Sequence, residues 1–370
     1  MHGLRVMCKT MSNANFNFSG GGRVNVTEWS FSVPEKKHKK KYFGNLKIEV
    51  IDAGICCHCS ACAAICPVNG IVTGDIPIDF PNWVRECIDC GACVKVCPRW
   101  EYVPLNGIGD YIEITAAKSK RFKGQDGAMV TEITASAIEM GLIDVAIFVS
   151  RNEKWETKIV TIKNIEQLSN RKISGTKYCY ASVLPALKDA VIKYNSVGFV
   201  GTPCMISAVR KMQKSFKKFE KVKLAIGLFC TENFYHHDLY SFLLDKKNVD
   251  LRDAVKTDIK KGKFIVFLKN GEKVSFPVKE LEEIIPAGCK VCQDFSAVES
   301  DISIGSVGSA TGYSTMIVRN ETTKQIVEYI RERGYAEFTE PKVDLIKKLC
   351  DFKIKIHPYP PVKGSSHHST

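Results

Sequence analysis

The stretch Cys56-Cys57-His58-Cys59-Ser60-Ala61-Cys62-Ala63-Ala64-Ile65-Cys66-Pro67 spaces four thiols as C-x2-C-x2-C-x3-C-P. Cys87-Ile88-Asp89-Cys90-Gly91-Ala92-Cys93-Val94-Lys95-Val96-Cys97-Pro98 repeats that spacing. Three closely spaced cysteines suit successive corners of one cubane, while the fourth, ahead of a proline, reaches across to a neighbouring cluster. On that logic Cys56, Cys59, Cys62 and Cys97 hold one [4Fe-4S] centre, and Cys87, Cys90, Cys93 and Cys66 hold a second. Zinc is the competing reading, but structural zinc sites commonly use two C-x2-C pairs without a trailing proline. Cys57 is an extra thiol beside the first ligand and reads as a bystander.

Sixteen cysteines in 370 residues, most of them in this regular pattern, do not suit a secreted disulfide framework. A reducing cytoplasm fits better, with a peripheral place on a membrane only through a partner complex. No apolar run approaches the roughly 18 residues of a spanning helix. The longest, Leu142 to Val149, is broken by Asp144. Met1 to Thr10 holds His2, Arg5 and Lys9 and no apolar core of signal-peptide length. With 45% apolar and 25% charged residues the chain can build two or three cores, which excludes disorder throughout. Lys plus Arg exceed Asp plus Glu by 53 to 40, a net +13. That balance raises the question of a polyanionic partner without implying nucleic acid, and none is expected.

Residues 1–45 read as a basic flexible arm, with Ser19-Gly20-Gly21-Gly22, the run Lys36 to Lys41 and few apolar residues. Docking on an acidic partner subunit is the reading preferred over nucleic acid or lipid. Residues 46–105 form the cysteine module, 110–355 a larger domain and 356–370 a tail. In the larger domain Val145–Val149, Val197–Val200, Leu224–Phe229, Ile302–Ile304 and Met316–Arg319 read as strands. Ser182–Tyr194, a segment through Met212 and Thr322–Arg333 read as helices. Phe264–Leu268 and Lys273–Val278 flank Asn270-Gly271, which predicts a hairpin with a type I′ turn.

Further cysteines stand in short separate motifs: Gly201-Thr202-Pro203-Cys204, the Cys230-Thr231-Glu232-Asn233 segment, and Gly288-Cys289-Lys290-Val291-Cys292. Cys204 and Cys230 each follow a strand, at the end where an open α/β sheet presents ligand-binding groups. With Cys289 and Cys292 they make four thiols available for a third cluster; buried apolar cysteine is the alternative for Cys204 and Cys230. Cys8, Cys179 and Cys350 have no such context. Gly124-Gln125-Asp126-Gly127 precedes an apolar helix, and Ser174-Gly175-Thr176-Lys177-Tyr178 and Gly305-Ser306-Val307-Gly308-Ser309-Ala310-Thr311-Gly312 offer small residues and hydroxyls suited to a phosphate. None is the G-x-G-x-x-G fingerprint of an ordinary Rossmann NAD site.

The stretches GQDGAMVT, ISGTKY, GTPC with RKMQ, CTEN and AGCKVCQDF followed by DISIGSVGSATGYST resemble the beta subunit of coenzyme F420-reducing hydrogenase and its dehydrogenase relatives, from about Lys118 to Arg319. A two-cluster module ahead of that domain is similar to the electron-input subunit of membrane-bound F420H2 dehydrogenases and to the amino-terminal part of F420-dependent sulfite reductase; nothing resembles a sirohaem domain. The resemblance implies an α+β or α/β fold class, with a small bacterial-type two-cluster ferredoxin module followed by a mixed α/β FAD-binding domain. It implies that Cys204, Cys230, Cys289 and Cys292 hold a third [4Fe-4S] cluster. FAD would be lined by Gly124, Gln125, Asp126, Gly127, Ser174, Gly175, Thr176, Lys177, Tyr178, Gly201, Thr202, Pro203, Gly305, Ser306, Gly308, Ser309 and Gly312.

The activity so implied is oxidation of F420H2 by hydride transfer to FAD, with single electrons relayed to other subunits of a dehydrogenase, hydrogenase or reductase complex, or the reverse. No catalytic side-chain acid or base is needed, because the cofactor carries the hydride chemistry. Lys177, Lys290 and Arg210 are candidates for attracting the anionic tail of F420, and His236 and His237 read as ordinary helix residues. The alternative is a relay subunit that keeps the fold but binds no flavin; the glycine and hydroxyl segments favour the enzyme.

Overall fold

The computed structural model describes residues 15–17, 23–25, 32–74, 78–169 and 173–360. Two short strands, β1 (Asn15–Asn17) and β2 (Arg23–Asn25), pair antiparallel ahead of the cysteine module. Helix α1 (Tyr42–Leu46) runs on as a π-helical turn to Ile51, followed by α2 (Ala61–Ile65), α3 (Trp83–Glu86) and α4 (Ala92–Lys95). Phe43, Leu46, Val50, Phe80, Val94 and Trp100 close around Cys62, Cys66, Cys93 and Cys97, so thiols make up a substantial part of a small core. The cysteine repeat is also a backbone repeat. His58 and Asp89 have φ of +51° and +60°, and Ser60 and Gly91, two residues on, have +66° and +75°. Left-handed backbone costs about 1–2 kcal/mol at a residue with a side chain, so each loop is held in a bent path by its surroundings.

Residues 32–45, placed by composition in a free arm, instead lie against this module. Asn45 is fully buried: its amide donates to the carbonyls of His38, Lys40 and Lys41 at 3.2, 3.0 and 3.2 Å, and its carbonyl accepts from the His38 N–H at 2.7 Å. Lys36 pairs with Asp89, Lys37 with Glu49 at 3.1 Å, and the Lys41 ammonium donates to the Cys87 carbonyl at 2.6 Å. A polar, lysine-rich segment can dock without an apolar stripe when one buried amide gathers its backbone. The first glycine cluster and Cys8 lie outside the described residues, as do residues 361–370.

The larger domain runs β3 (Glu113–Ser119), α5 (Met129–Glu139), β4 (Val145–Arg151), β5 (Thr157–Ile162), α6 (Leu184–Lys193), β6 (Val197–Gly201), α7 (Pro203–Ser215), β7 (Val222–Leu228), α8 (His236–Lys247), β8 (Ala254–Lys260), β9 (Lys263–Leu268), β10 (Lys273–Pro277), β11 (Ile302–Gly305), β12 (Ser314–Val318), α9 (Glu321–Glu332), β13 (Ala336–Thr339) and α10 (Val343–Ile356). Eight strands form one mixed sheet in the order β13-β3-β12-β11-β7-β6-β4-β5. Strands β3, β11, β7, β6 and β4 point one way and β12, β13 and β5 the other. Side-chain alternation makes the central strands apolar on both faces. Val145, Ile147 and Phe199 meet α6 and α7, while Ala146, Phe148 and Val200 meet α5 and α9. The cysteine module joins the first of those layers: Ala61, Ala64 and Ile65 of α2 share a core with Leu184, Leu187 and Ile206.

The expected hairpin is present but belongs to a three-stranded sheet, β10-β9-β8. Its turn is not type I′. Gly271 takes the left-handed position at φ +89°, Asn270 does not, and the Leu268 N–H donates to the Glu272 carbonyl across a three-residue loop. A single left-handed glycine suffices when the loop is one residue longer. No helix among the described residues is long and apolar enough to cross a membrane.

Replacing Asn45 by Ala removes the amide that gathers residues 38–41 and leaves buried carbonyls unpaired, at a cost of about 1–3 kcal/mol. Limited trypsin digestion of Asn45→Ala should cut within Lys36–Lys41 far faster than in the parent chain; equal cutting rates would show that the segment is held some other way.

Candidate redox site

Within the module the eight cysteines of the repeat divide between two cavities. One is lined by Cys56, Cys59, Cys62 and Cys97 together with Cys57 and Arg99. The other is lined by Cys66, Cys87, Cys90 and Cys93 with Tyr42, Phe43 and Val68. The fourth cysteine of each run therefore stands in the cavity of the other run. Burial pushes the Cys56 thiol up to about 12, and Cys62 and Cys93 rise for the same reason with neighbouring thiols adding to it. Among the described residues no three His, Cys, Asp or Glu side chains converge closely enough to hold a lone ion. Four thiols facing one cavity make a donor set that fits a [4Fe-4S] group.

A second gathering of thiols lies at the carboxyl edge of the eight-stranded sheet. Cys204 sits in the first turn of α7 and Cys230 just after β7, and the loop before β11 brings Cys289 and Cys292 to them, each thiol within electrostatic reach of the others. The Tyr180 hydroxyl contacts the Cys289 sulfur at 3.1 Å and the Thr202 hydroxyl contacts the Cys204 sulfur at 3.4 Å. Lys353, fully buried on α10, donates to the carbonyls of Cys230 at 2.7 Å and Asp294 at 2.8 Å. Burial opposes ionisation of Cys292, yet Lys353 and Arg99 together hold that thiol below its usual range. Cys57 is not remote from this chemistry. Its sulfur lies within hydrogen-bonding reach of both Cys59 and Cys204, so it stands between the first cavity and the dispersed cysteines.

Three of the glycine segments reach the same edge after β3, β6 and β11, and Ser174–Tyr178, between β5 and α6, meets them there. The Gln125 side chain ties two of them together, accepting from the Thr176 N–H at 2.9 Å and donating to Asp258 on β8 at 3.2 Å. Lys256 and Lys260 lie 3.2 and 3.3 Å from that carboxylate. Gly127 is required by packing: a Cβ there would stand 2.2 Å from the Ala117 carbonyl oxygen. Helices α5 and α7 begin here without a side-chain cap, leaving first-turn N–H groups for an anionic ligand. With exposed Gly175, Thr176 and Ser306 beside them, these residues suit the phosphates of a dinucleotide such as FAD. Lys177 is largely buried and donates to the Ile173 carbonyl at 2.5 Å. Arg210 does not belong to this edge. Its nitrogens bond Glu299 O, Gln213 and Asp301 at the opposite end of the sheet. Lys290 is exposed in the turn between Cys289 and Cys292, and the His236 ring donates to the Lys154 carbonyl at 2.8 Å.

Residues 48–98 match a 4Fe-4S dicluster domain. Residues 114–188 and 194–344 match the amino-terminal and carboxyl-terminal parts of the coenzyme F420 hydrogenase/dehydrogenase beta subunit. A subunit of the F(420)H(2) dehydrogenase of Methanosarcina mazei is 34% identical over 324 residues, covering 83% of this chain and 91% of the relative. The chain belongs to the family of F420 hydrogenase/dehydrogenase beta subunits. A second relative, the coenzyme F420-dependent sulfite reductase of Methanocaldococcus jannaschii, is 36% identical over 83% of this chain, which spans 50% of the relative's length. A chain in the F420-reducing [NiFe] hydrogenase complex from Methanosarcina barkeri superposes with a TM-score of 0.64 at 32% identity, covering 69% of this chain and 92% of that one.

Sequence reasoning missed Arg99, Tyr180, Lys353 and the place of Cys57. Arg99 and Lys353 fall just outside the matched segments, and a single buried cation in a helix or loop leaves no periodic trace. The two cysteine sites also touch through backbone: a Cβ on Gly288 would stand 1.9 Å from the Cys56 carbonyl oxygen. Gly288→Ala should separate them, so that anaerobically loaded protein holds substantially less iron and sulfide than the parent while its far-ultraviolet circular dichroism is kept; parent-level iron would contradict this contact.

Proposed function

We propose that this family member oxidises the reduced deazaflavin coenzyme F420 at an FAD bound on the carboxyl edge of the sheet. It then passes the electrons singly through three cysteine-held [4Fe-4S] centres to another subunit of a redox complex, or works in reverse. The observation that carries this is the meeting, on one sheet edge, of the glycine and hydroxyl segments with Cys204, Cys230, Cys289 and Cys292, next to Cys57 and the first cavity. The relatives, an F(420)H(2) dehydrogenase subunit and a coenzyme F420 hydrogenase beta subunit, support the same reading.

When bound, flavin exchanges electron pairs for single electrons and the cubanes carry those one at a time, which is the conversion that a hydride-donating deazaflavin requires. The chain's own residues do the placing. Cys204, Cys230, Cys289 and Cys292 would hold the third centre, with the Tyr180 and Thr202 hydroxyls orienting two of the sulfurs. The α5 and α7 N-termini, Thr176 and Lys177 would hold the flavin phosphates, and the Gln125 bridge fixes the two loops that do so. Lys256, Lys260 and exposed Lys290 give this edge a positive field for an anionic substrate.

Anaerobically reconstituted protein should bind about one FAD per chain and reduce a viologen dye with F420H2. Protein that carries iron and sulfide but neither binds flavin nor oxidises F420H2 would leave only a relay subunit. A second outcome concerns pH. Burial, with Arg151 nearby, depresses the Lys177 ammonium to about 7, so its charge is lost as pH rises through neutrality. FAD affinity should therefore fall between about pH 6 and pH 8.5. Lys177→Gln should bind about tenfold more weakly at the acidic end of that range and lose the slope, as expected for one charge-assisted hydrogen bond. Parent affinity that stays level across this range would remove Lys177 from the phosphate site.

A further inference from the structure

The two halves of the cysteine repeat align residue for residue, and they end differently: Cys66-Pro67-Val68 in one, Cys97-Pro98-Arg99 in the other. In each half the residue after the proline lines a cavity. Val68 lines that of Cys66, Cys87, Cys90 and Cys93, and Arg99 lines that of Cys56, Cys59, Cys62 and Cys97. Among the described residues, every other side chain lining either cavity is uncharged when its thiols are protonated. The ligand carbonyls are treated alike, since Lys41 donates to Cys87 O and Lys211 to Cys97 O at 2.6 and 2.8 Å. Arg99 is therefore the one charged side chain among the described residues that lines either cavity.

Arg99 is only 3% exposed. Its guanidinium lies over the Tyr102 ring, 4.0 Å from the centroid, and Nη2 donates to the Gly288 carbonyl at 3.3 Å. Nη1 is buried and, among the described residues, has no hydrogen-bond partner. Leaving such a buried donor unpaired is costly, and an acceptor filling the adjoining cavity would relieve it. Sulfur atoms of an iron–sulfur core are acceptors of that kind.

We propose that Arg99 donates its free N–H to the cubane held by Cys56, Cys59, Cys62 and Cys97 and so sets that site's reduction potential above the site of its repeat partner Val68. A positive charge and an N–H donor near cluster sulfur both favour the form with the added electron. One electron enters and no bond is made or broken. The electron then rests at the site beside Cys57 and the dispersed cysteines, and the second site, with half-exposed Cys87 and Cys90, is the step leading outward. This inference rests on the cluster reading above and not on the flavin.

The test is a stepwise reductive titration of the anaerobically reconstituted full chain, followed by electron paramagnetic resonance. The parent should show two separate midpoints for the module. Arg99→Val, which copies the other half of the repeat, should keep full iron and sulfide while the upper midpoint drops toward the lower one. The drop should equal at least a tenfold change in one-electron partition, about 59 mV. Equal midpoints in the parent, or an unmoved upper midpoint in fully loaded Arg99→Val, would overturn the role of Arg99 and leave the clusters in place. A parent chain without cubane signals would overturn the cluster reading itself. Should Arg99→Val fail to hold iron, Arg99→Lys and Arg99→Gln decide: Lys should keep the upper midpoint near the parent's and Gln should lower it, and a Gln variant at the parent's value would refute the inference.

Discussion

Two cysteine sites far apart in the chain meet where the Cys56 carbonyl lies against Gly288, too close for any side chain on the glycine. The rest of the architecture serves that contact. Small residues on α2, Ala61 and Ala64, let it lie against α6, and the Ser60 and Ser182 hydroxyls share a hydrogen bond of 2.9 Å at the same seam. Because this boundary is part of a continuous apolar core, the module and the sheet behave as one body; boundaries between mobile domains are more polar. Electron transfer depends on fixed separation, and a seam without slack provides it.

Electrostatics at the seam follow from burial. The Cys289 thiol is pushed up to about 11 by desolvation, so protons must leave when a metal arrives. Lys353 and Arg99 are already there to meet the resulting negative charge. Two buried cations would be a liability beside an apolar core, and facing buried thiols they instead favour the thiolate forms. One of these cations closes the cysteine repeat and the other lies on the last helix, so segments far apart in sequence supply the charge at this seam.

The parts of this protein legible in the sequence are those with a local rule. Tandem cysteine spacing places eight thiols, and runs such as Val145–Val149 and Val197–Val200, apolar on consecutive positions, announce central strands. Edge strands carry no such rule, and β5 and β13 are half exposed; β3, next to the edge, contains Ala116 and Ala117, which favour no strand. The segment 32–45 escapes a compositional reading because its attachment depends on one asparagine and one phenylalanine among lysines. Arg99 is easily passed over because arginine is usually at the surface, and only the fold reveals that its proline-linked position turns inward. Cys57 looks idle beside Cys56 since its role comes from Cys204, well over a hundred positions away.

The docked lysine segment has two kinds of hold on the module. Ion pairs at Lys36 and Lys37 are partly exposed and fade with added electrolyte, whose screening length is about 8 Å at 0.15 M. The Asn45 amide and the buried Phe43 ring are indifferent to it. Phe43 and Tyr42 also wall the second cavity. Ionic strength therefore governs how tightly individual ammonium groups sit while the wall stays in place, and the second cavity keeps its shelter in brine as in dilute buffer.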